Sequence, residues 1–215
     1  GNLTLTDDGD GTWSGDVTLD DDLNDMTYRV QVNDTSGNYV RGSEQAVAVS
    51  DNDNPTITDT TSGTPTTGED FNVTADVSDN IDEDTVWLEY TLTSIGGYTR
   101  TWNKSMNPDY WYEVTIWSNA TSLDYTIAAN DTSDNWNSVS NSTAVEDNDD
   151  PTFTDNSPDT AMTGDSYTFD IDSEDNIAVD SVNVSWSHGV VSGNLALSDD
   201  GDGTWSGDIT LDDDL

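Results

Sequence analysis

Between residues 55 and 150 apolar side chains recur at every second position, the period of a strand with one covered face. No segment holds the 3.6-residue period of a helix. FNVTADV (71–77) is the clearest case, with Phe71, Val73, Ala75 and Val77 alternating with polar neighbours. VWLEYTL (86–92), YEVTIW (112–117) and DYTIAA (124–129) continue the pattern, and TITDT (56–60) and the stretch 136–146 complete the set of predicted strands. Turn clusters SGTPTTG, SDNIDED, NPD, SNATS and NDTSDN separate these runs at the spacing of a β-sandwich.

The chain is also self-similar. GNLTLTDDGDGTWSGDVTLDDDL (1–23) returns as GNLALSDDGDGTWSGDITLDDDL (193–215), identical at 20 of 23 positions. Such a repeat predicts a parent polypeptide built from 192-residue units, with Gly1 a cut point inside it. The unit halves again. Pro55 of DNDNP and Pro151 of DNDDP stand 96 residues apart, PTITD matches PTFTD, and SDNIDEDTVWLEY (78–90) falls on EDNIAVDSVNVSW (174–186). ANDTSDN (129–135) likewise meets VNDTSGN (32–38). The expected organisation is all-β: the C-terminal half of one domain (1–54), a complete domain of a second type (55–150), and the N-terminal part of the next domain of the first type (151–215). Each half needs a neighbouring copy to complete its core.

About seven strands in about 96 residues suggest tandem immunoglobulin-like β-sandwich domains. Tyr28 in MTYRVQV and Tyr125 in LDYTIAA stand near the start of the expected sixth strand, where a tyrosine corner belongs. The DDGDG segments (7–11 and 199–203) lie between strand-like runs and read as hairpin turns.

Charge changes the picture most. The 215 residues carry 45 acidic and four basic side chains, a net charge of −41. The acids are 38 Asp and only seven Glu, a bias toward a short, hard oxygen ligand that favours turns. Two carboxylates about 5 Å apart repel by roughly 0.8 kcal/mol in water and several-fold more near a protein surface. A chain so charged either lives in high salt or binds cations. Nucleic acid and anionic membrane are poor partners, because phosphate binding needs Lys and Arg. No apolar run is long enough for a membrane span, and the absence of cysteine rules out disulfides and thiolate sites.

TLDDDLNDMTYRVQVNDTSGN…VAVSDNDNPTIT resembles the second half of a cadherin repeat, which joins domains through an acidic motif ending in proline. PTITD…TTGEDF…SDN and DTSGN also resemble Ig-like tandem repeats of archaeal and bacterial cell-surface proteins. The cadherin D-R-E and D-A-D triplets are absent. In such a sandwich the domain entry, the BC loop and the FG loop share one end, and the EF loop and domain exit share the other. The linker Asp51, Asn52, Asp53 and Asn54 is therefore expected to face Asp79, Asn80 and Asp82 of the BC loop and Asp131, Asp134 and Asn135 of the FG loop. Asp20, Asp21 and Asp22 approach it from the preceding domain. The second linker, with Asp147, Asp149 and Asp150, is expected to face Glu174, Asp175, Asn176 and Asp180, joined by the next copy's equivalents of Asp34 and Asn38. Carboxylates and amide carbonyls from three loops supply the six to eight oxygens that Ca²⁺ takes, whereas Mg²⁺ demands stricter octahedral geometry. The EF segment of the middle domain, WSNATSLD, offers only Asp124, so the two linkers are expected to bind unequally. The bland alternative for the same residues is ordinary turn chemistry before a proline.

Trp87, Trp111, Trp117 and Trp186 fall in strand-like runs and are expected in the core, while Trp102 and Trp136 sit near turns and are expected at the surface. Of eight N-x-S/T sequons, those at Asn33, Asn119 and Asn130 are the glycosylation candidates. Catalysis finds no support: His188 is the one histidine, Lys104 has no nucleophile motif near it, and crowded acids alone do not make an acid/base pair. The expected function is a structural repeat of a long extracellular filament or stalk, stiffened by Ca²⁺ at the linkers, with further copies of the repeat as partners. The alternative is an adhesin stalk whose exposed aromatics contact surface glycans.

Overall fold

The computed structural model describes residues 1–211, so the last four residues of the 151–215 region lie outside the described residues. Every regular element among them is a β-strand. The first region holds a hairpin of β1 (Thr6–Asp7) and β2 (Trp13–Ser14), followed by β3 (Met26–Tyr28), β4 (Gln31–Asn33), β5 (Tyr39–Arg41) and β6 (Gln45–Val47). Here β4 pairs with β5 and β3 with β6, both antiparallel. Gly9 and Gly11 take positive φ in the β1–β2 turn, which is what DDGDG supplies there.

The middle region runs through β7 (Thr56–Asp59), β8 (Asp70–Ser78), β9 (Glu83–Ser94), β10 (Thr99–Ser105), β11 (Trp111–Thr115), β12 (Ala120–Asp131) and β13 (Trp136–Ala144). Two sheets form, in the orders β11–β8–β7 and β10–β9–β12–β13. Their inner faces meet in one core, which makes this region a two-sheet β-sandwich. Alternation builds that core: Phe71, Val73, Ala75 and Val77 from β8 are buried against Val86, Leu88, Tyr90 and Leu92 from β9 and Leu123, Tyr125, Ile127 and Ala129 from β12. Cross-strand partners in the larger sheet match apolar to apolar, with Leu123 opposite Leu92, Tyr125 opposite Tyr90 and Ile127 opposite Leu88.

Strand β10 was not among the expected strands. Its sequence, TRTWNKS, offers one apolar residue in seven, so periodicity is silent. Pairing with β9 and the stacking of Trp102 on Tyr90, with ring centroids 4.9 Å apart, hold it in place. Trp102 is thus half-buried against the core and not a surface ring, and it meets Trp117 edge-on at 5.6 Å. Two tryptophans expected inside face outward instead, Trp87 at 42% and Trp111 at 41% exposure. The period of two explains Trp87: with Val86 and Leu88 turned inward, the residue between them must point out.

Tyr125 ties the two sheets together. Its hydroxyl donates to Asp59 Oδ2 at 2.7 Å, and Asn141 Nδ2 donates to the same oxygen at 3.2 Å. Burial pushes the Asp59 carboxyl up, but donors from Thr61, Tyr125 and Asn141 outweigh it and hold the group below the ordinary carboxylate value. Tyr125→Phe removes one donor from that carboxylate and is expected to cost about 1.5 kcal/mol in a denaturant melt.

The last region comprises β14 (Thr152–Asp155), β15 (Ser166–Glu174), β16 (Asn183–His188), β17 (Val191–Ala196), β18 (Ser198–Asp199) and β19 (Thr204–Thr210). Its sheets run β14–β15–β19–β18 and β16–β17. The core here is small: Ile171, Leu197 and Trp205 are buried, with Val182 and Val184 packed beside them.

Candidate metal centre at the first linker

The linker is fixed before its acids are placed. Pro55 is fully buried, and Asn137 Nδ2 donates to its carbonyl at 2.8 Å. Asp79 begins the turn after β8, with Oδ2 accepting from Ile81 N at 2.9 Å. Asp131 ends β12 and caps the next turn: Oδ1 accepts from Ser133 N at 2.8 Å and Asn135 N at 2.9 Å, and Oδ2 accepts from Asn135 Nδ2 at 2.7 Å. The left-handed backbone of Asp134 (φ 67°) lets that turn close.

These elements bring Asp51, Asp79 and Asp131 together, with one oxygen of each within 4.8 Å of the others. That span is about twice a Ca–O distance of ~2.4 Å. Asp51 Oδ1 is engaged by Asp53 N at 3.1 Å and by Asn80 Nδ2 at 3.4 Å. Asp51 Oδ2 and Asp79 Oδ1, by contrast, are buried from solvent with no hydrogen-bond partner. Orphaned anionic oxygens facing a third carboxylate are costly unless a cation neutralises them. The residues present therefore fit a hard divalent cation: Asp51, Asp79 and Asp131 would hold it, and it would supply the positive charge the cluster lacks.

Burial pushes the Asp131 carboxyl up, yet the side-chain amide of Asn135 and the backbone N–H groups of Asn135 and Ser133 prevail and keep it below the usual range. The sign follows from the lowered value. Stability from Asp131 and Asp59 is complete above the unfolded carboxylate pKa of about 3.9 and disappears as pH falls through the lower folded values. Thermal melts from pH 7 to pH 3 are expected to stay flat down to about pH 4 and to drop sharply below it.

The second linker is built differently. Thr67 Oγ1 lies 3.0 Å from both Asp147 Oδ1 and Asp149 Oδ2, and Asn176 Nδ2 lies 3.1 and 3.0 Å from the same two oxygens. Asn176 Nδ2 also donates to Ser118 O at 2.6 Å, while its own Oδ1 is buried and unpartnered. Sequence reading placed Asn176 here but missed Thr67 and Ser118, a hydroxyl and a backbone carbonyl that no charge pattern marks. Asp175 turns inward on its own loop, with Oδ1 accepting from Ile177 N and Ala178 N at 2.8 Å.

Several expected ligands are not gathered into the three-carboxylate cluster. Asp22 accepts from Asn24 N within its own turn at 2.7 Å, and Asp20, Asp21 and Asp22 are exposed. Asp82 contributes its backbone carbonyl, accepting from Thr132 N at 3.1 Å. Asn52, Asp53, Asn54, Asp150 and Asp180 are solvent-facing or half-exposed. Asp34 forms a cage like that of Asp131, with Oδ1 accepting from Ser36 N at 2.9 Å and Asn38 N at 2.7 Å and Oδ2 from Asn38 Nδ2 at 2.7 Å.

Among the glycosylation candidates, Asn33 and Asn119 are exposed. Asn130 is buried; its amide donates to Asp84 Oδ2 and Asp131 O, and its Oδ1 accepts from Thr85 Oγ1. A glycan has no room there in the folded domain, which corrects that expectation.

The fold and the site together define an all-β chain with a carboxylate cluster where a linker meets two loops of a sandwich. Neither a protein-family model nor a curated protein matches the chain. Among solved structures, it is similar to a tetra-tandem repeat in the extending region of a large adhesion protein, at 18% identity and a TM-score of 0.38 over 88% of this chain and 48% of that one. It is also similar to trypsin-activated alpha-2-macroglobulin from Escherichia coli, at 12% identity and a TM-score of 0.34 over 88% of this chain and 17% of that one. The chain thus spans about half the length of the first of these structures and a smaller part of the second. Among the described residues no helix is long and apolar enough to cross a membrane.

Proposed function

We propose that this chain is a segment of an extracellular rod made of tandem Ig-like sandwich domains, in which Ca²⁺ at the acidic linkers fixes the angle between neighbours. The carrying observation is the convergence of Asp51, from the linker, with Asp79 and Asp131, from two loops of the following sandwich, with buried carboxylate oxygens left unpartnered. A cation bound there couples linker to domain. Without it, consecutive domains pivot about a flexible joint. The repeat of residues 1–23 at 193–215 supports a periodic array, because one fixed angle repeated along a chain generates a helical rod.

Calorimetric titration of the chain with CaCl₂ at neutral pH tests this reading. The expected result is saturable binding with Kd in the about 10⁻⁴–10⁻³ M range of extracellular calcium modules, weaker for Mg²⁺, and lost from the first linker in Asp79→Asn. An unsaturable heat that Asp79→Asn leaves unchanged rejects it.

A further inference from the structure

The two end regions of the chain carry complementary deficits. In the middle sandwich β9 is paired on both edges, by β10 and by β12. Its counterpart β16 pairs only with β17 among the described residues, leaving the other edge open. Conversely, among the described residues the hairpin of residues 26–47 pairs only with itself and its apolar side chains meet no core: Tyr28 and Val30 are each 46% exposed, whereas the matching Tyr125 and Ile127 are 4% and 0% exposed.

The sequence matches convert these deficits into a register. SDNIDEDTVWLEY on EDNIAVDSVNVSW sets Tyr90, Leu88 and Val86 against Trp186, Val184 and Val182. ANDTSDN on VNDTSGN sets Tyr125, Ile127 and Ala129 against Tyr28, Val30 and Val32. In the middle sandwich those partners lie directly opposite one another, Tyr125 facing Tyr90, Ile127 facing Leu88 and Ala129 facing Val86.

We propose that the hairpin of residues 26–47 of one copy of this chain completes the open sandwich of residues 151–211 in a second copy, pairing along the free edge of β16 with Tyr28 opposite Trp186, Val30 opposite Val184 and Val32 opposite Val182. The hairpin does not reach that edge within its own chain. It joins the middle sandwich at the Asp51–Asp79–Asp131 end, while the last region joins at the Thr67–Asp147 end. Strand β8, nine residues and about 30 Å long, lies between.

Two further contacts agree with this join. Asp155 holds the same local turn as Asp59: Asp155 Oδ1 accepts from Ser157 N and Asp59 Oδ1 from Thr61 N, both at 2.9 Å. Tyr28 of the first copy then donates to Asp155 of the second, as Tyr125 does to Asp59. The Asp34 cage, matching that of Asp131, arrives beside Asp147 and Asp175, the counterparts of Asp51 and Asp79. The contact is heterologous, one end of a copy to the other end of the next, so it propagates from copy to copy, as a filament or a ring according to the rotation, and not as a two-fold dimer.

The inference rests on the repeat and on the open strand edges, not on calcium, and its test separates the two. The chain has no cysteine. Val30→Cys and Val184→Cys chains, mixed under oxidising conditions in EGTA and at least 0.15 M salt to screen repulsion, are expected to form a mixed disulfide dimer. Directly opposed strand residues have Cα atoms about 4.5–5.5 Å apart, within disulfide reach. Arg29→Cys in place of Val30→Cys points to the opposite face and is expected to cross-link at least about tenfold less. Equal yields from the two positions, or no mixed dimer, overturn the proposal. Sedimentation of the unmodified chain gives a second readout. Oligomers growing with concentration, and reverting to monomer in Trp186→Asp, support the join; a monomer at every concentration sinks it. Cross-linking without saturable calcium binding would reject only the metal account.

Discussion

Asp131→Ala is expected to weaken calcium binding at the first linker by more than about 100-fold. Loss of a group that merely orients a metal ligand already costs about 10–100-fold in affinity, and Asp131 would be a ligand itself. For the native chain at calcium 100-fold above Kd, linkage predicts a rise in melting temperature on the order of 10 °C. In the variant that increment disappears. Asp131 also caps its own turn through Ser133 N and Asn135 N, so the metal-free variant melts lower than the metal-free native chain. Melts of both proteins with and without calcium separate the two roles: the cap shows in EGTA, the metal only in the calcium-dependent increment. Asp79→Asn, which keeps side-chain volume while removing charge, is expected to lose the increment with little change in EGTA.

The second large effect lies in the core. Leu88 and Ile127 are completely buried and directly opposite one another in the larger sheet. Leu88→Ala or Ile127→Ala leaves a cavity between strands that both sheets hold in place, and each is expected to cost about 2–5 kcal/mol in urea-induced unfolding. Because they share that cavity, the double variant is expected to cost less than the two single losses added. The same truncation at Trp87, which faces solvent, is expected to change stability by no more than about 0.5 kcal/mol.

These contrasts show where the sequence was readable. Strands β8, β9 and β12 announce themselves because each alternates a continuous apolar row with polar residues, and burial follows that row residue by residue. Strand β10 has no such row; only its pairing with β9 and the Trp102–Tyr90 stack define it. The tryptophans mislead for a related reason. Its place in a strand-like run suggested a core position for Trp87, but its parity, opposite to that of Val86 and Leu88, was the stronger signal.

Much of the candidate site was also legible. Asp51, Asp79 and Asp131 follow from which loops share an end of a two-sheet sandwich, and the structure gathers those three. Strand order could not reveal which acids spend their oxygens on their own turns. Asp22 caps Asn24 and Asp175 caps Ile177, and both are held within their loops. Nor could it reveal Thr67, whose hydroxyl meets Asp147 and Asp149, or Ser118, whose backbone carbonyl accepts from Asn176. Asn130 carries a formal sequon, yet it is buried beside Asp131 at the end of β12, with its amide spent on Asp84 Oδ2 and Asp131 O.

The proposed role of the cation is mechanical, to make the first linker rigid. Small-angle scattering from this chain in calcium and then in EGTA, at constant ionic strength, tests it most directly. A fixed maximum dimension is expected with calcium and a broader, more flexible distance distribution after chelation, while circular dichroism shows the strands intact. Superimposable scattering curves in the two conditions would contradict it.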